Sequence, residues 1–273
     1  MTPPRRGTPG RLRVGWLPYL NVLPLAPGLA HGAEVVAVAS PRRLGELLAA
    51  GVLDAAPLAS RDFLALGPRV RPLGRLGIAC RGPVASVLLF SPRPARQLGG
   101  ARIALSSESR TSRALLRILL ADALGVERAG LVEEGEPAEA LLAIGDRALA
   151  LAANPLPGLP HRLDLGALWT RHTGLPFVYA RLAVRREVDP AAAAPLRRAL
   201  DAALDKPLEL AGAALPPGLT PDGARRYLRR FTYRLGAAEE AGLERFRKEL
   251  LRHDLLDRPQ PPSRSHPVRP GAG

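Results

Sequence analysis

The feature that most restricts the fold of this chain is a regular alternation of short apolar runs with helical stretches. In the first third the apolar runs are 12–16, 34–39, 52–59 and 83–91. Ser40 and Pro41 are typical of a helix start, and Gly51 is typical of the residue after a helix end. Strands and helices that alternate along a chain form largely parallel sheets covered by helices, so the pattern predicts an α/β fold.

A second unit of the same kind begins near Pro92. A strand at 101–106 runs into a helix of regularly spaced leucines, which Gly125 ends. A further apolar run at 140–146 closes on a Gly-Asp pair. After Pro190 the spacing of apolar residues predicts only helices, which pack back onto the first unit.

The two long apolar runs, 83–91 and 175–184, bracket this second unit. They predict two lobes joined by a pair of crossing strands that lie side by side. Lobe one comprises residues 1–91 and 181–273, and lobe two, residues 92–180, is inserted into it. A ligand is expected in the cleft between the lobes, with closure by hinge motion.

Composition excludes several classes of protein. The single cysteine, Cys80, rules out an intrachain disulfide and a cysteine-based metal cluster, and its apolar surroundings favour a buried filler. The net charge of +14 comes from scattered residues, and all of the basic ones except Lys206 and Lys248 are arginines. Without a block of like charges or interleaved aromatic residues, the sequence predicts no nucleic-acid partner.

The hydropathy and the termini predict a cytoplasmic protein with no membrane partner. No apolar run approaches the ~20 residues that span a bilayer. The N-terminal "MTPPRRGTPG" has no apolar segment of the kind found in secretory signals behind it. The C-terminal "RPQPPSRSHPVRPGAG" predicts a disordered tail.

Polar residues follow two predicted strands directly. In "GWLPYLNVLPL" the first strand ends, and Tyr19 and Asn21 follow at once. They indicate either a turn or the floor of a binding site, because open α/β sheets bind ligands at strand ends. Five hydroxyl residues crowd the start of the helix after the 101–106 strand, where they either cap the helix or bind an anion. They are Ser106, Ser107, Ser109, Thr111 and Ser112.

Seven stretches together resemble the chorismate dehydratases of the futalosine route to menaquinone. They are "VGWLPYLNVLPL", "GVLDAAPLAS", "GPVASVLLFS", "SSESRTSRALLRILL", "LLAIGDRAL", "WTRHTGLPFVYA" and "YLRRFTYRLGAAEEAGLERF". The resemblance spans about residues 12 to 255. It implies a two-lobed fold like that of type II periplasmic binding proteins and chorismate as substrate. The sequence contains no metal-ligand cluster and no phosphate-binding loop, so no cofactor or metal is expected. The alternatives are a 1,4-dihydroxy-6-naphthoate synthase-like enzyme and a non-catalytic solute-binding protein of the same fold. No oligomeric state is predicted.

The resemblance also implies site residues. The expected catalytic residues are Asn21, Ser86 and Asp146. The expected substrate-binding residues are Tyr19, Ser60, Ser109, Thr111, Ser112, Gly145, Thr173, Gly174 and Phe177. The family usually carries two serines where this chain has Ala59 and Ser60, so only Ser60 can act there.

No side chain stands out as the catalytic base. Asp146 is a candidate, but capping the next helix explains it equally well. His172 lies in a polar stretch and is expected at the surface. This leads to the hypothesis that the enolpyruvyl carboxylate of the substrate takes the proton itself, with the protein supplying mainly orientation.

Overall fold

The computed structural model describes residues 11–30, 33–105, 110–154, 156–210 and 212–256. Ser106, Ser107 and Ser109 and the C-terminal tail therefore lie outside the described residues. The strands are β1 (Leu12–Trp16), β2 (Ala33–Val38), β3 (Ala55–Ala59), β4 (Val70–Cys80), β5 (Val87–Ser91), β6 (Arg102–Leu105), β7 (Gly130–Glu133), β8 (Ala140–Ile144), β9 (His161–Asp164), β10 (Phe177–Arg185) and β11 (Phe231–Arg234). They form two separate sheets, and the α/β prediction is confirmed.

Helices fill the connections between these strands. They are α1 (Pro41–Ala49), α2 (Ser60–Leu66), α3 (Arg110–Asp122), α4 (Gly145–Ala153), α5 (Leu165–Thr173), α6 (Pro190–Ala203), α7 (Pro221–Leu228) and α8 (Ala237–Arg252). A 3₁₀ segment, Leu20–Gly28, follows β1. Among the described residues, no helix combines the length and the apolar character needed to cross a membrane.

The first sheet has the strand order β11-β4-β10-β3-β1-β2. β1 is parallel to β2 and β3, whereas β10 and β11 run antiparallel to their neighbours. The predicted start of α1 is correct, with Ser40 at the N-cap and Pro41 in the first turn. α1 packs so closely on β1 that a Cβ at Gly15 would lie 2.5 Å from Leu53 and 2.6 Å from Leu44.

The second sheet has the order β7-β6-β8-β5-β9. β6, β7 and β8 are parallel, and β5 is antiparallel to β8 and β9. α3 connects β6 to β7, and its buried residues include Leu115, Leu116 and Leu119, as the leucine spacing predicts. The chain from β5 to β9 thus forms the second sheet. It is inserted in the sequence between two parts of the chain that both contribute strands to the first sheet.

The predicted pairing of the crossing strands is wrong. β5 belongs to the second sheet, whereas β10 lies between β3 and β4 in the first. The apolar run 83–91 does not begin as a strand, because the chain bends at Ala85, whose φ is +67°. The lobe division at residues 91 and 180 stays a prediction, but the sheets place β5 with lobe two and all of β10 with lobe one.

Four strands escaped the sequence prediction, namely β4, β7, β9 and β11. β4 contains a proline and two glycines among its residues, and these interrupt the apolar pattern that marks a strand. β11 is a four-residue edge strand that pairs only with β4, so the predicted all-helical C-terminal part is wrong. Helices α6 and α8 do pack on the first sheet, against β4 and β10.

Candidate active site

A cleft opens between the two sheets, near the ends of β1, β3 and β8. Its lining is largely apolar, as is usual for small-molecule sites. The lining residues are Leu17, Tyr19, Asn21, Pro41, Ala59, Ile78, Val84, Ser86, Val87, Thr111, Ser112, Ile144, Gly145, Tyr179, Ala180 and Phe231. The sequence-predicted residues Tyr19, Asn21, Ser86, Thr111, Ser112 and Gly145 are therefore brought together.

Asn21 lies at the start of the 3₁₀ segment, one turn after β1 ends. Its Oδ1 is buried and has no hydrogen-bond partner among the described residues. Its backbone carbonyl accepts a hydrogen bond of 2.9 Å from the hydroxyl of Tyr233. Because a buried polar atom without a partner is costly, a free Oδ1 in a cleft indicates a place for a polar ligand group.

Ser86 faces the cleft from the segment that crosses between the sheets. It directly precedes β5, whereas the sequence had suggested that it lies within the strand. Its Oγ accepts a hydrogen bond of 2.9 Å from Tyr227, and its carbonyl accepts one of 2.8 Å from the Gly145 N–H. Asn21 and Ser86 thus come from different parts of the fold and line the same cleft.

Three helices begin at the cleft wall. Pro41, Thr111 and Gly145 belong to the first turns of α1, α3 and α4. Helix starts carry partial positive charge and unpaired N–H groups, so they attract anions. No arginine or lysine lines the cleft within the part of the chain that the structure describes. The cleft can therefore receive an anion through N–H groups and hydroxyls, without a charged side chain.

Asp146 is not one of the lining residues. Its carboxylate accepts the backbone N–H of Leu20, at 3.0 Å from Oδ1 and 3.3 Å from Oδ2. Burial raises its pKa, and the Leu20 N–H partly opposes that effect. The contact joins the start of α4 to the segment after β1, and the Tyr19 ring lies 3.1 Å from the position of a Cβ at Gly145. Asp146 therefore connects the two lobes, and the structure does not favour it as the base.

Ser60 does not line the cleft. It is fully buried, and its hydroxyl donates a 2.5 Å hydrogen bond to the carbonyl of Val178. The cleft wall at this place is Ala59. Ser60 thus fixes α2 against β10, and the expectation that it binds substrate is not met.

Three residues just before and at the start of β10 were predicted to bind substrate but do not line the cleft. They are Thr173, Gly174 and Phe177. Thr173 donates to the carbonyl of Trp169 in α5, and Gly174 ends that helix with a φ of +72°. Phe177 is buried and packs edge-on against Trp169, at a centroid distance of 5.2 Å. These residues build the core and the end of α5, because the helix continues through the stretch that the sequence suggested was a turn. His172 is exposed, as expected.

Apart from Tyr19, the sequence analysis missed the aromatic residues at the cleft. Tyr227 donates a hydrogen bond to Ser86, and Tyr233 donates one to the backbone carbonyl of Asn21. Tyr179 and Phe231 line the cleft wall. One signal was available in "YLRRFTYRLG", which places three aromatic residues within seven positions of a chain with only 4% aromatic residues.

Comparisons with known proteins agree with this architecture. A family model described as menaquinone biosynthesis matches residues 12–251. A chorismate dehydratase of Thermus thermophilus is 35% identical over 252 residues, which are 85% of this chain and 92% of that protein. A crystal structure from Archaeoglobus fulgidus matches with a TM-score of 0.69 at 17% identity, over 92% of this chain and 100% of that one.

A second solved structure gives the fold its general description. A Candida albicans protein described as exhibiting the generic periplasmic binding protein structural fold matches with a TM-score of 0.59 at 12% identity, over 92% of each chain. At such low identity these structures show the fold alone. The predicted two-lobed, periplasmic-binding-protein-like fold is confirmed.

Proposed function

The chain belongs to the menaquinone biosynthesis family, and from that premise we propose that it is a hydro-lyase that converts chorismate to 3-(1-carboxyvinyloxy)benzoate and water. The observation that carries this proposal is the 35% identity to a chorismate dehydratase over 85% of the chain. A biosynthetic role of this kind also predicts a cytoplasmic location, which cell fractionation can test.

The reaction sets clear demands on the cleft. The C3–H bond of chorismate breaks, its electron pair forms the C3–C4 double bond, and the C4 hydroxyl leaves as water after gaining a proton. The ring becomes aromatic, which provides the driving force. The protein must hold two carboxylates, keep the ring in place and assist the leaving hydroxyl.

The helix starts suit the two carboxylates. Thr111 and Ser112 add hydroxyls to the first turn of α3, on the wall of the cleft. Each helix start contributes about 0.3–1 kcal/mol to binding an anion, and up to ~2 kcal/mol when partly buried. The apolar side chains of Ile78, Val84 and Phe231 offer a surface for the ring.

Asn21 and Ser86 suit the leaving hydroxyl. An asparagine amide both donates and accepts, and a serine hydroxyl donates one proton. We assign to Asn21 the hydrogen bond that holds the C4 hydroxyl, because its Oδ1 is buried and unpartnered among the described residues. Ser86 is the nearby donor that supports the negative charge on the departing oxygen.

The base in this proposal is the enolpyruvyl carboxylate of chorismate. Asp146 is hydrogen-bonded to the Leu20 N–H and is absent from the cleft lining, which supports a structural role for it. The substrate carboxylate is tethered next to C3, and well-oriented intramolecular groups reach effective molarities of roughly 10⁵ M or more. Positioning of the substrate is then the main contribution of the protein.

Ultraviolet absorbance of the purified protein mixed with chorismate tests the proposal. A dehydratase replaces the diene spectrum with a benzoate spectrum, and mass spectrometry should find a product lighter by one water. A solute-binding protein would leave the diene spectrum intact. A naphthoate synthase-like enzyme would also leave chorismate unchanged, and either result would refute the assignment.

A further inference from the structure

Tyr227 in α7 makes a contact with the cleft that its sequence position does not suggest. It is only 3% exposed, although Arg225, Arg226 and Arg229 of the same helix region are exposed. Its hydroxyl donates a 2.9 Å hydrogen bond to Ser86 Oγ. Its ring packs edge-on against Phe231, with centroids 5.1 Å apart. The ring is thus held in place, and the hydroxyl meets Ser86 from the side of lobe one.

The backbone around Ser86 is fixed independently of Tyr227. The carboxylate of Asp164 accepts the N–H groups of Val84 at 3.1 Å and Ala85 at 2.7 Å. The Ser86 carbonyl accepts the Gly145 N–H. Ala85 has a φ of +67°, a strained conformation for a non-glycine residue that persists only where the surroundings hold it. These contacts fix the backbone around Ser86 but not the rotation of its side-chain hydroxyl.

The direction of the Tyr227 hydrogen bond determines where the Ser86 proton can point. A serine hydroxyl has one proton and two lone pairs. Because Tyr227 donates to one lone pair, the Ser86 proton must point elsewhere, and Ser86 lines the cleft. Burial raises the pKa of Tyr227 above its usual range, so its hydroxyl remains a donor through neutral pH.

We propose that Tyr227 is a positioning residue that holds the Ser86 hydroxyl so that its proton is directed to the substrate oxygen leaving in the cleft. The inference rests on the proposed dehydration. It assigns to α7 an indirect part in the reaction, through the Tyr227 hydroxyl. Without Tyr227, the Ser86 hydroxyl rotates among several acceptors and donates to the substrate for only part of the time.

The test is a double-mutant cycle with Tyr227→Phe, Ser86→Ala and the variant that carries both changes. Tyr227→Phe keeps the ring and its packing on Phe231. With Ser86 present, it should lower kcat/KM by roughly 5- to 30-fold, mainly through kcat. With Ser86→Ala, the same change should alter kcat/KM by less than about 2-fold. Melting temperature is measured for all three variants, so that loss of the Tyr227–Ser86 hydrogen bond from the folded structure is separated from its effect on turnover.

The outcomes are separable. Equal losses in both backgrounds, or no loss beside Ser86, would overturn the positioning role while leaving the dehydratase assignment in place. Absence of any chorismate turnover by the wild-type protein would overturn both. If Ser86→Ala turns over too slowly for a steady-state assay, the cycle is run on single-turnover rates with the enzyme in excess over chorismate. Additive effects there would refute the inference.

Discussion

Replacing Asn21 by aspartate and by alanine distinguishes a substrate ligand from a structural turn residue. Asn21→Ala removes both amide hydrogen bonds. The proposed partner, the C4 hydroxyl, is neutral, and a hydrogen bond between neutral groups is worth about 0.5–1.5 kcal/mol, so kcat/KM should fall roughly 2- to 13-fold for each bond lost. The backbone should stay in place, because Tyr233 holds the carbonyl of residue 21, which both variants retain.

Asn21→Asp should be the more damaging change. The new carboxylate stands where Oδ1 is buried, and no arginine or lysine of the described cleft lining is available to neutralise it. Two like charges ~4 Å apart repel by about 4 kcal/mol at an effective dielectric constant of ~20, which corresponds to a further loss of up to about 10³-fold. The order Asp below Ala below wild type is therefore expected for kcat/KM.

The chain offers a matched control for the added charge. Asn154, the only other asparagine, is exposed at the end of α4, and Asn154→Asp changes the net charge by the same amount outside the cleft. Its kcat/KM should match that of the wild type. The measurement is the loss of the chorismate diene absorbance, with melting temperature as the folding control. Near wild-type turnover by a folded Asn21→Asp protein would refute the argument that Asn21 binds substrate.

Three other changes test separate parts of the structure. Ser60→Ala leaves the Val178 carbonyl without its buried partner, so thermal unfolding should show a loss of roughly 1–3 kcal/mol, with kcat/KM unchanged; lost activity at full stability would contradict this placement. Thr111→Val removes the hydroxyl at the start of α3, which also accepts the Arg61 N–H, and should lower kcat/KM at least ~10-fold; unchanged steady-state kinetics would argue against carboxylate binding there. Burial raises the Asp146 pKa in the folded state, so the wild type loses stability as pH rises through that value. The free energy of unfolding of Asp146→Asn, relative to that of the wild type, should therefore be higher at about pH 7 than at about pH 4. A difference that does not change with pH would refute the reasoning.

Local patterns predicted the parts of the fold that depend on neighbouring residues. The start of α1 follows from Ser40 and Pro41, and the helix α3 follows from the spacing of its leucines; the structure has both helices. The cleft position of Asn21 follows from the rule that ligands bind at the ends of strands. These inferences need only the order of strands and helices along the chain.

Contacts between distant residues were not predictable in the same way. The Ser60 hydroxyl is hydrogen-bonded to the Val178 carbonyl, and the Asp146 carboxylate to the Leu20 N–H, across 118 and 126 positions of the sequence. A hydroxyl or a carboxylate has the same local signature whether it faces a ligand or a backbone group. The bend at Ala85 likewise precedes β5, which lies in the second sheet and not beside β10. A bend of one residue leaves no periodic pattern in the sequence, so it could not be predicted.

The absence of arginine and lysine from the described cleft lining has a kinetic consequence. The chain carries a net charge of +14, so its field attracts a dianion over distances at which salt screens strongly. Inside the cleft, hydroxyls and helix N–H groups act over the length of a hydrogen bond, where salt has little effect. Encounter with the substrate should therefore slow as ionic strength rises, while the lifetime of the complex stays nearly constant. A product held without ion pairs can also depart without the cost of separating them, which favours rapid turnover.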